Sequence, residues 1–354
     1  MDFGICIASH IGDIDYVERA EALGYSHAWF ADSQMLWSDC YATLALAATR
    51  TSRIKLGTGV AITGTRPASV NAAGIATINA LAPGRTFFGV GAGNTAMRVM
   101  GKPPHRIREF DRYLRTLKPL LRGEEAVNDD GQPIIHVMPD TGFVNFRDPI
   151  PLYVSGFGPR SLGLAGEHGD GAVISGRRGG AALQRVWDMV ESGARRAGRE
   201  INRDAYYMTA LTTIVVLEPG EAVDSDRVKS QCGAMAMAGV HYQYDQLRNF
   251  GRQPSNVFAG IWDDYKAMME KIPAERRHQF IHRGHNCWVV PEEERFLTPE
   301  VLRASALIGT RGELIDILSS LSDAGLDQVM ILPNFHTRYD VLERVGKALI
   351  GNVA

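Results

Sequence analysis

Short apolar runs alternate with amphipathic stretches along nearly the whole chain. FGICIAS (3–9) is a continuous apolar run of strand length. Asp13 to Leu23 follows as a helix, with Ile14, Val17 and Ala20 on one face. HAWFA (27–31), IKLGTGVA (54–61) and TFFGVG (86–91) predict the next three strands. Helices are predicted over Tyr41 to Arg50, Pro67 to Leu81 and Ile107 to Leu121, the second opening on a proline suited to a first turn. The rhythm breaks over 123–150, a stretch rich in Asp, Gly and Pro that predicts an excursion with a short hairpin. It resumes with PLYVSG (151–156), a helix to His168, GAVIS (171–175) and a helix from about Ala181 to Ala197. YYMTALTTIVVL (206–217) predicts a seventh strand, and a second excursion covers roughly 230–306. A helix over Gly312 to Ala324, the strand DQVMILP (327–333) and a helix over Tyr339 to Leu349 close the chain.

Eight strands, each coupled to a helix, predict parallel crossovers and an α/β fold. Eight is the number that closes a (β/α)8 TIM barrel. The expectation is one domain over 1–354, with excursions after strand 4 and before strand 8 and a lid-like insertion at about 230–306. In a closed barrel FGICIAS lies beside DQVMILP. The rival is a doubly wound open sheet, which places a nucleotide fingerprint early in the chain.

Strand ends carry the candidate chemistry. Gly91-Ala-Gly93-Asn94-Thr-Ala96 fits G-x-G-x-x-A, but Gly101, Pro103 and Pro104 predict that no helix opens at once. A ligand-contacting loop at a strand end fits this segment, with Gly91 and Asn94 facing a cofactor. Gly156-Phe157-Gly158-Pro-Arg-Ser161 joins a strand to a helix, where backbone N–H groups can cradle an anion. Ser175-Gly176-Arg177-Arg178 follows the next strand, so two adjacent loops present glycine, serine and arginine to a phosphate. Alternatively, Ser161 is only a cap and the arginines only solvated. Asp32, Ser33 and Trp37 follow the second strand and offer acid, hydroxyl and indole; capping and packing explain them equally well. His10 ends the first strand, and His282, His285, Asn286, Cys287 and Trp288 cluster in the second excursion. His282-x-x-His285 alone does not make a metal site, and no metal is expected.

Composition narrows the class. Hydrophobic residues are 45% and charged residues 22%, which supplies a substantial core, and the net charge of -2 gives no case for nucleic acid. No apolar run is long enough to cross a bilayer. The N-terminal stretch has no basic segment before its apolar run and reads as a strand rather than a signal peptide. Cys6, Cys40, Cys232 and Cys287 are scattered, so neither a disulfide scaffold nor a zinc knuckle is expected, and a reduced cytoplasmic setting is the default.

Four blocks together resemble one family. ADSQMLWSDCYATLALAATRTSRIKLGTGV (31–60), RPASVNAAGIATINALAPGRTFFGVGAGN (66–94), PLYVSGFGPRSLGLAGEHGDGAVISG (151–176) and ALIGTRGELIDILSSLSDAGLDQVMILP (306–333) occur in the order found in luciferase-like flavin and deazaflavin oxidoreductases. The third block resembles the methylenetetrahydromethanopterin-reductase-like branch. The resemblance implies a tricyclic cofactor at the barrel mouth, its phosphate over 156–161 and 175–178. It also implies a non-proline cis bond at Gly59–Val60, beneath the cofactor ring. One departure stands out: deazaflavin members often carry Asp-His after the second strand, whereas this chain has Asp32-Ser33.

The leading expectation is therefore a reduced-FMN monooxygenase acting with O2 on a small organic substrate and supplied by a separate flavin reductase. A coenzyme F420-dependent reductase or dehydrogenase is the alternative, and a flavin-binding protein without turnover is the third reading. Assembly as a homo-oligomer is expected.

Overall fold

The structure is a computed structural model that describes residues 1–128, 130–134, 142–176 and 179–353. Arg177 and Arg178 therefore lie outside the described residues. Eight parallel strands close a barrel: β1 Asp2–Ile7, β2 His27–Phe30, β3 Lys55–Ile62, β4 Thr86–Gly91, β5 Leu152–Ser155, β6 Gly171–Ser175, β7 Tyr207–Thr212 and β8 Gln328–Ile331. Around the ring the order is β1, β8, β7, β6, β5, β4, β3, β2. The first and last strands are neighbours, and the Asp2 amide donates to the Asp327 carbonyl at 2.7 Å. This is the (β/α)8 barrel that the alternation predicts.

Local chemistry sets the helices. Asp39 caps Cys40–Arg50, its Oδ1 accepting from the amides of Tyr41 and Ala42 at 2.9 and 3.0 Å. Pro159 opens Pro159–His168 in the first turn, where its missing N–H costs no bond. That helix crosses Gly180–Arg196 with backbone against backbone. A Cβ on Gly166 would lie 1.9 Å from the Val190 carbonyl oxygen, and one on Gly193 2.0 Å from that of Gly163.

The N-terminal end of the barrel is filled with rings. His27, Trp29, Phe87, Tyr153 and Tyr207 pack together, Trp29 and Phe87 with centroids 4.3 Å apart and Tyr153 and Tyr207 5.3 Å apart. Gln328 reaches the polar edges of Trp29 and His27. Its Oε1 accepts from Trp29 Nε1 at 2.8 Å and Thr209 Oγ1 at 2.9 Å, while its Nε2 lies 2.7 Å from His27 Nδ1.

Two sequence expectations need correction. A short helix, Asn94–Val99, opens directly after β4, because Gly93 turns the chain in the left-handed region (φ 84°). The run 206–217 is two strands rather than one. β7 ends at Thr212, and Ile214–Val216 pairs in parallel with Leu307–Gly309 in a separate two-stranded sheet. The hairpin expected in 123–150 is present, Ala126–Val127 against Pro133–Ile134.

The chain divides into two compact units, Met1–Leu211 with Ser320–Met330, and Thr212–Ser319 with Ile331–Ala354. The second has its own core, in which Val240, Tyr244, Tyr265, Phe296 and Leu302 gather along the long helix Asp226–Phe250.

Candidate active site

The C-terminal ends of β2 to β6 carry most of the predicted residues. At β3 the Gly59–Val60 bond is cis, as the resemblance implied. Val60 meets β4, since a Cβ on Gly91 would lie 2.9 Å from Val60 Cγ2 and 3.5 Å from Ser155 Cβ. Thus Val60, Gly91 and Ser155, from three adjacent strands, converge. Asn94 lies one turn beyond, its Oδ1 accepting from Arg98 Nε at 3.1 Å.

The two glycine loops are neighbours, because β5 and β6 pair directly, Ser155 opposite Val173. The Gly156 amide donates to the Val173 carbonyl at 3.0 Å, and the Gly176 amide to the Leu211 carbonyl at 2.7 Å. A Cβ on Gly156 would sit 2.8 Å from the Leu162 amide nitrogen, so only glycine lets the strand end approach the helix start. Leu162 makes the first helical bond, to Gly158 at 2.9 Å, which leaves the amides of Arg160 and Ser161 ahead of the helical ladder. Ser161 Oγ accepts from the Gly158 amide at 3.3 Å. Ser161 thus acts as a cap here, and the exposed Phe157 borders the loop. Two amides ahead of a helical ladder have the chemistry to accept an anionic group such as a phosphate.

Asp32 is buried, and its surroundings went unnoticed in the sequence. Its Oδ2 accepts from Arg66 Nη1 at 2.7 Å and from the Ile62 amide at 3.3 Å, and its Oδ1 from Gln34 Nε2. Arg66 Nη2 continues to Asp39 Oδ2 at 2.7 Å. Burial opposes the charge on Arg66, but Asp32 and then Asp39 outweigh it and hold its pKa above the ordinary value. Burial likewise raises the phenols of Tyr41 and Tyr113, which keeps both protonated as donors. A buried acid demands a cation, but nothing in the sequence says that Arg66 supplies it.

Ser33 and Trp37 sit in the turn after β2, the Trp37 amide donating to the Ser33 carbonyl at 3.1 Å. The loop carrying exposed His10 is stitched to this turn, since the Ser38 amide donates to the Ser9 carbonyl at 2.8 Å and Ile11 N–H to Ser38 Oγ at 3.1 Å. His10, Ser33 and Trp37 therefore share one rim.

His285 belongs to the second unit. Its Nδ1 is shielded from solvent, although the residue as a whole is only half-buried. Burial, with His241 adding to it, pushes its pKa down to about 3, so the imidazole is neutral. Asn286 Nδ2 lies 2.8 Å from its Nε2, and the His282 ring stands 5.3 Å away, centroid to centroid. Nearby, His241 Nε2 pairs with Glu293 Oε1 at 2.8 Å. Among the described residues, Asp111, Glu167 and His168 bring potential metal-ligand atoms together, but Arg115 and Arg196 already engage the two carboxylates at 3.1 and 2.9 Å.

The chain is thus a closed parallel (β/α)8 barrel whose third strand shifts register between Thr58 and Ala61, beside the glycine loops that follow β5 and β6. Residues 2–328 match the luciferase-like monooxygenase family, and the chain belongs to that family. It is 27% identical over 343 residues to a 5,10-methylenetetrahydromethanopterin reductase of Archaeoglobus fulgidus, covering 95% of this chain and 93% of the relative. It is 28% identical over 322 residues to an F420-dependent glucose-6-phosphate dehydrogenase of Intrasporangium calvum, covering 84% of this chain and 94% of the relative. The solved structure of the coenzyme F420-dependent tetrahydromethanopterin reductase of Methanopyrus kandleri superposes with a TM-score of 0.70 at 20% identity, over 100% of this chain and 99% of that one. The chain is thus an oxidoreductase of this family.

Proposed function

We propose that the protein is a coenzyme F420-dependent oxidoreductase acting on a small organic substrate. The observation that carries this reading is the likeness, over 84% of the chain, to a relative named as an F420-dependent dehydrogenase. The reading reverses the order of preference drawn from the sequence, which put reduced FMN first. When bound, the deazaflavin supplies a two-electron hydride donor or acceptor. The chain's own part is to hold and orient. The amides of Arg160 and Ser161, ahead of the helical ladder, supply N–H groups for the phosphate next to the Ser175–Gly176 strand end, and Val60, Gly91 and Ser155 line the convergence beside them. Ser33 offers a hydroxyl where an imidazole would offer a base, so proton handling falls to other groups, the exposed His10 of the same rim among them.

A second reading keeps the reduced-FMN monooxygenase served by a separate reductase, and Ser33 in place of histidine favours it. Titration of the full chain with reduced F420 and with reduced FMN separates the two: F420 should bind about tenfold tighter or better, one decade being about 1.4 kcal/mol. Tighter FMN binding with oxygen-dependent product formation would replace the first reading by the second. No helix among the described residues is long and apolar enough to cross a membrane. All four cysteines are buried thiols outside any disulfide, which supports the proposal of a reducing, cytoplasmic setting. The proposed homo-oligomer is checked by light scattering.

A further inference from the structure

We propose that Arg66 is a positioning residue of the barrel mouth: it fastens Asp32 as a fixed anion tying the end of β2 to the end of β3, and Asp32 exchanges no proton in turnover. The inference rests on the cofactor reading above for where it acts, not for the contacts themselves.

Asp32 has three donors on two oxygens, from Arg66, Ile62 and Gln34. A general acid or base must present an oxygen to substrate, and three of the roughly four acceptor sites on the Asp32 carboxylate are already filled from within the protein, in a buried setting. Arg66 is itself held from both ends. Its guanidinium spans Asp32 and Asp39 and lies 5.1 Å from the centroid of the Tyr41 ring. Its carbonyl accepts from Tyr113 Oη at 3.2 Å. Tyr113 is fixed in turn by Asn71 Nδ2 at 2.6 Å, and Asn71 Oδ1 accepts from Tyr41 Oη at 2.8 Å. The loop closes on itself through Arg66, Tyr41, Asn71 and Tyr113. Ile62, whose amide Asp32 holds, lies two residues beyond Val60, the side chain that meets Gly91. Asp32 therefore sets the position of the strand segment against which a cofactor ring would rest. Its charge is felt locally: burial, and after it Asp32, raise the thiol of Cys40 well above its ordinary range.

The test uses the full chain and the variants Asp32→Asn, Arg66→Met, Arg66→Lys and the double Asp32→Asn/Arg66→Met. Three quantities are read: F420 affinity by fluorescence, the circular dichroism induced in bound F420, and the melting temperature without cofactor. Each of the Asp32→Asn and Arg66→Met variants should weaken F420 binding by about tenfold or more and alter the induced dichroism. The double variant should lose no more affinity than the worse single variant. It should also melt above Arg66→Met, because no buried carboxylate is left without its cation. Arg66→Lys should recover melting temperature but not the dichroism, since a lysine cannot fork between Asp32 and Asp39. An Asp32→Asn variant with parental affinity and dichroism overturns the proposal, as do losses that multiply in the double variant. A parent chain that binds FMN but not F420 sinks the cofactor reading alone, and the same cycle is then read with FMN. A parent that binds neither leaves the melting cycle to judge, and absence of rescue in the double variant overturns the Arg66–Asp32 coupling.

Discussion

The two ends of the barrel are built from opposite materials. At the N-terminal end, five rings from β2, β4, β5 and β7 fill the interior, and Gln328 links Trp29 to His27. At the C-terminal end, Gly91 and Gly156 stand where strands finish, and the large polar groups Asp32 and Arg66 are tied to one another. An end packed solid stabilises the fold and admits no ligand. An end built from glycine and preset charge leaves room for one. The contrast teaches that stability and recognition occupy separate layers of one sheet, so substitutions in each should report on different quantities.

The largest effect is expected from the closed end. Trp29→Ala should cost about 3–5 kcal/mol in urea unfolding, because it empties a packed ring site, while the ratio of F420 to FMN affinity stays as in the parent. A changed ratio would break the separation between the ends.

The next effect is a pH dependence. Burial, and after it Lys55, push His27 down to about 3, against about 6.5 for an unfolded histidine. The unfolded chain therefore takes up a proton that the folded chain refuses. Stability from this group is complete above about pH 6.5 and drains away as pH falls toward 3, by up to about 1.4 kcal/mol per pH unit. His285 acts in the same direction. Urea unfolding from pH 7 to pH 4 should lose about one proton of slope in His27→Gln, and an unchanged slope would show that His27 is already charged in the fold.

At the open end the readout changes. Ser175→Asp places a negative charge beside the cradle and should weaken binding of a phosphate-bearing cofactor by about tenfold, with melting temperature nearly unchanged. Unaltered affinity would move the phosphate elsewhere. The smallest effect is expected for Ser161→Ala, which removes the hydroxyl that accepts from Gly158. About 0.5–1 kcal/mol of stability should go, with only a modest loss of affinity. A loss as large as that of Ser175→Asp would mean that the hydroxyl itself touches the ligand.

The barrel was legible because its signals are local. Each strand is an apolar run and each helix an amphipathic one, and the structure reproduces the order. The short helix at 94–99 was missed because six residues, Asn-Thr-Ala-Met-Arg-Val, offer no periodicity, and the prolines beyond it drew attention downstream. The break at Thr213 was hidden because β-branched residues run through it without interruption; which sheet each half joins is decided by partners far along the chain, Leu307–Gly309 among them. The glycine after β5 was legible as a point of close approach, which Gly156 makes to the start of the next helix. Arg66 was not, because it meets Asp32 across 34 residues and only the folded sheet brings them together. The bond at Gly59–Val60 was foreseen through family likeness, not from its residues.

The crossing of Pro159–His168 with Gly180–Arg196 bears on how this protein can be redesigned. At Gly166 and Gly193 the separation between the two helices is set by the absence of any side chain. A single methyl at either site would push apart the rods that carry the anion loop, although neither glycine belongs to that loop. Libraries aimed at new substrates can vary the turn after β2 around Ser33. They should hold these two glycines constant, because the separation of the two helices is set there, in the scaffold, rather than in the loops that precede them.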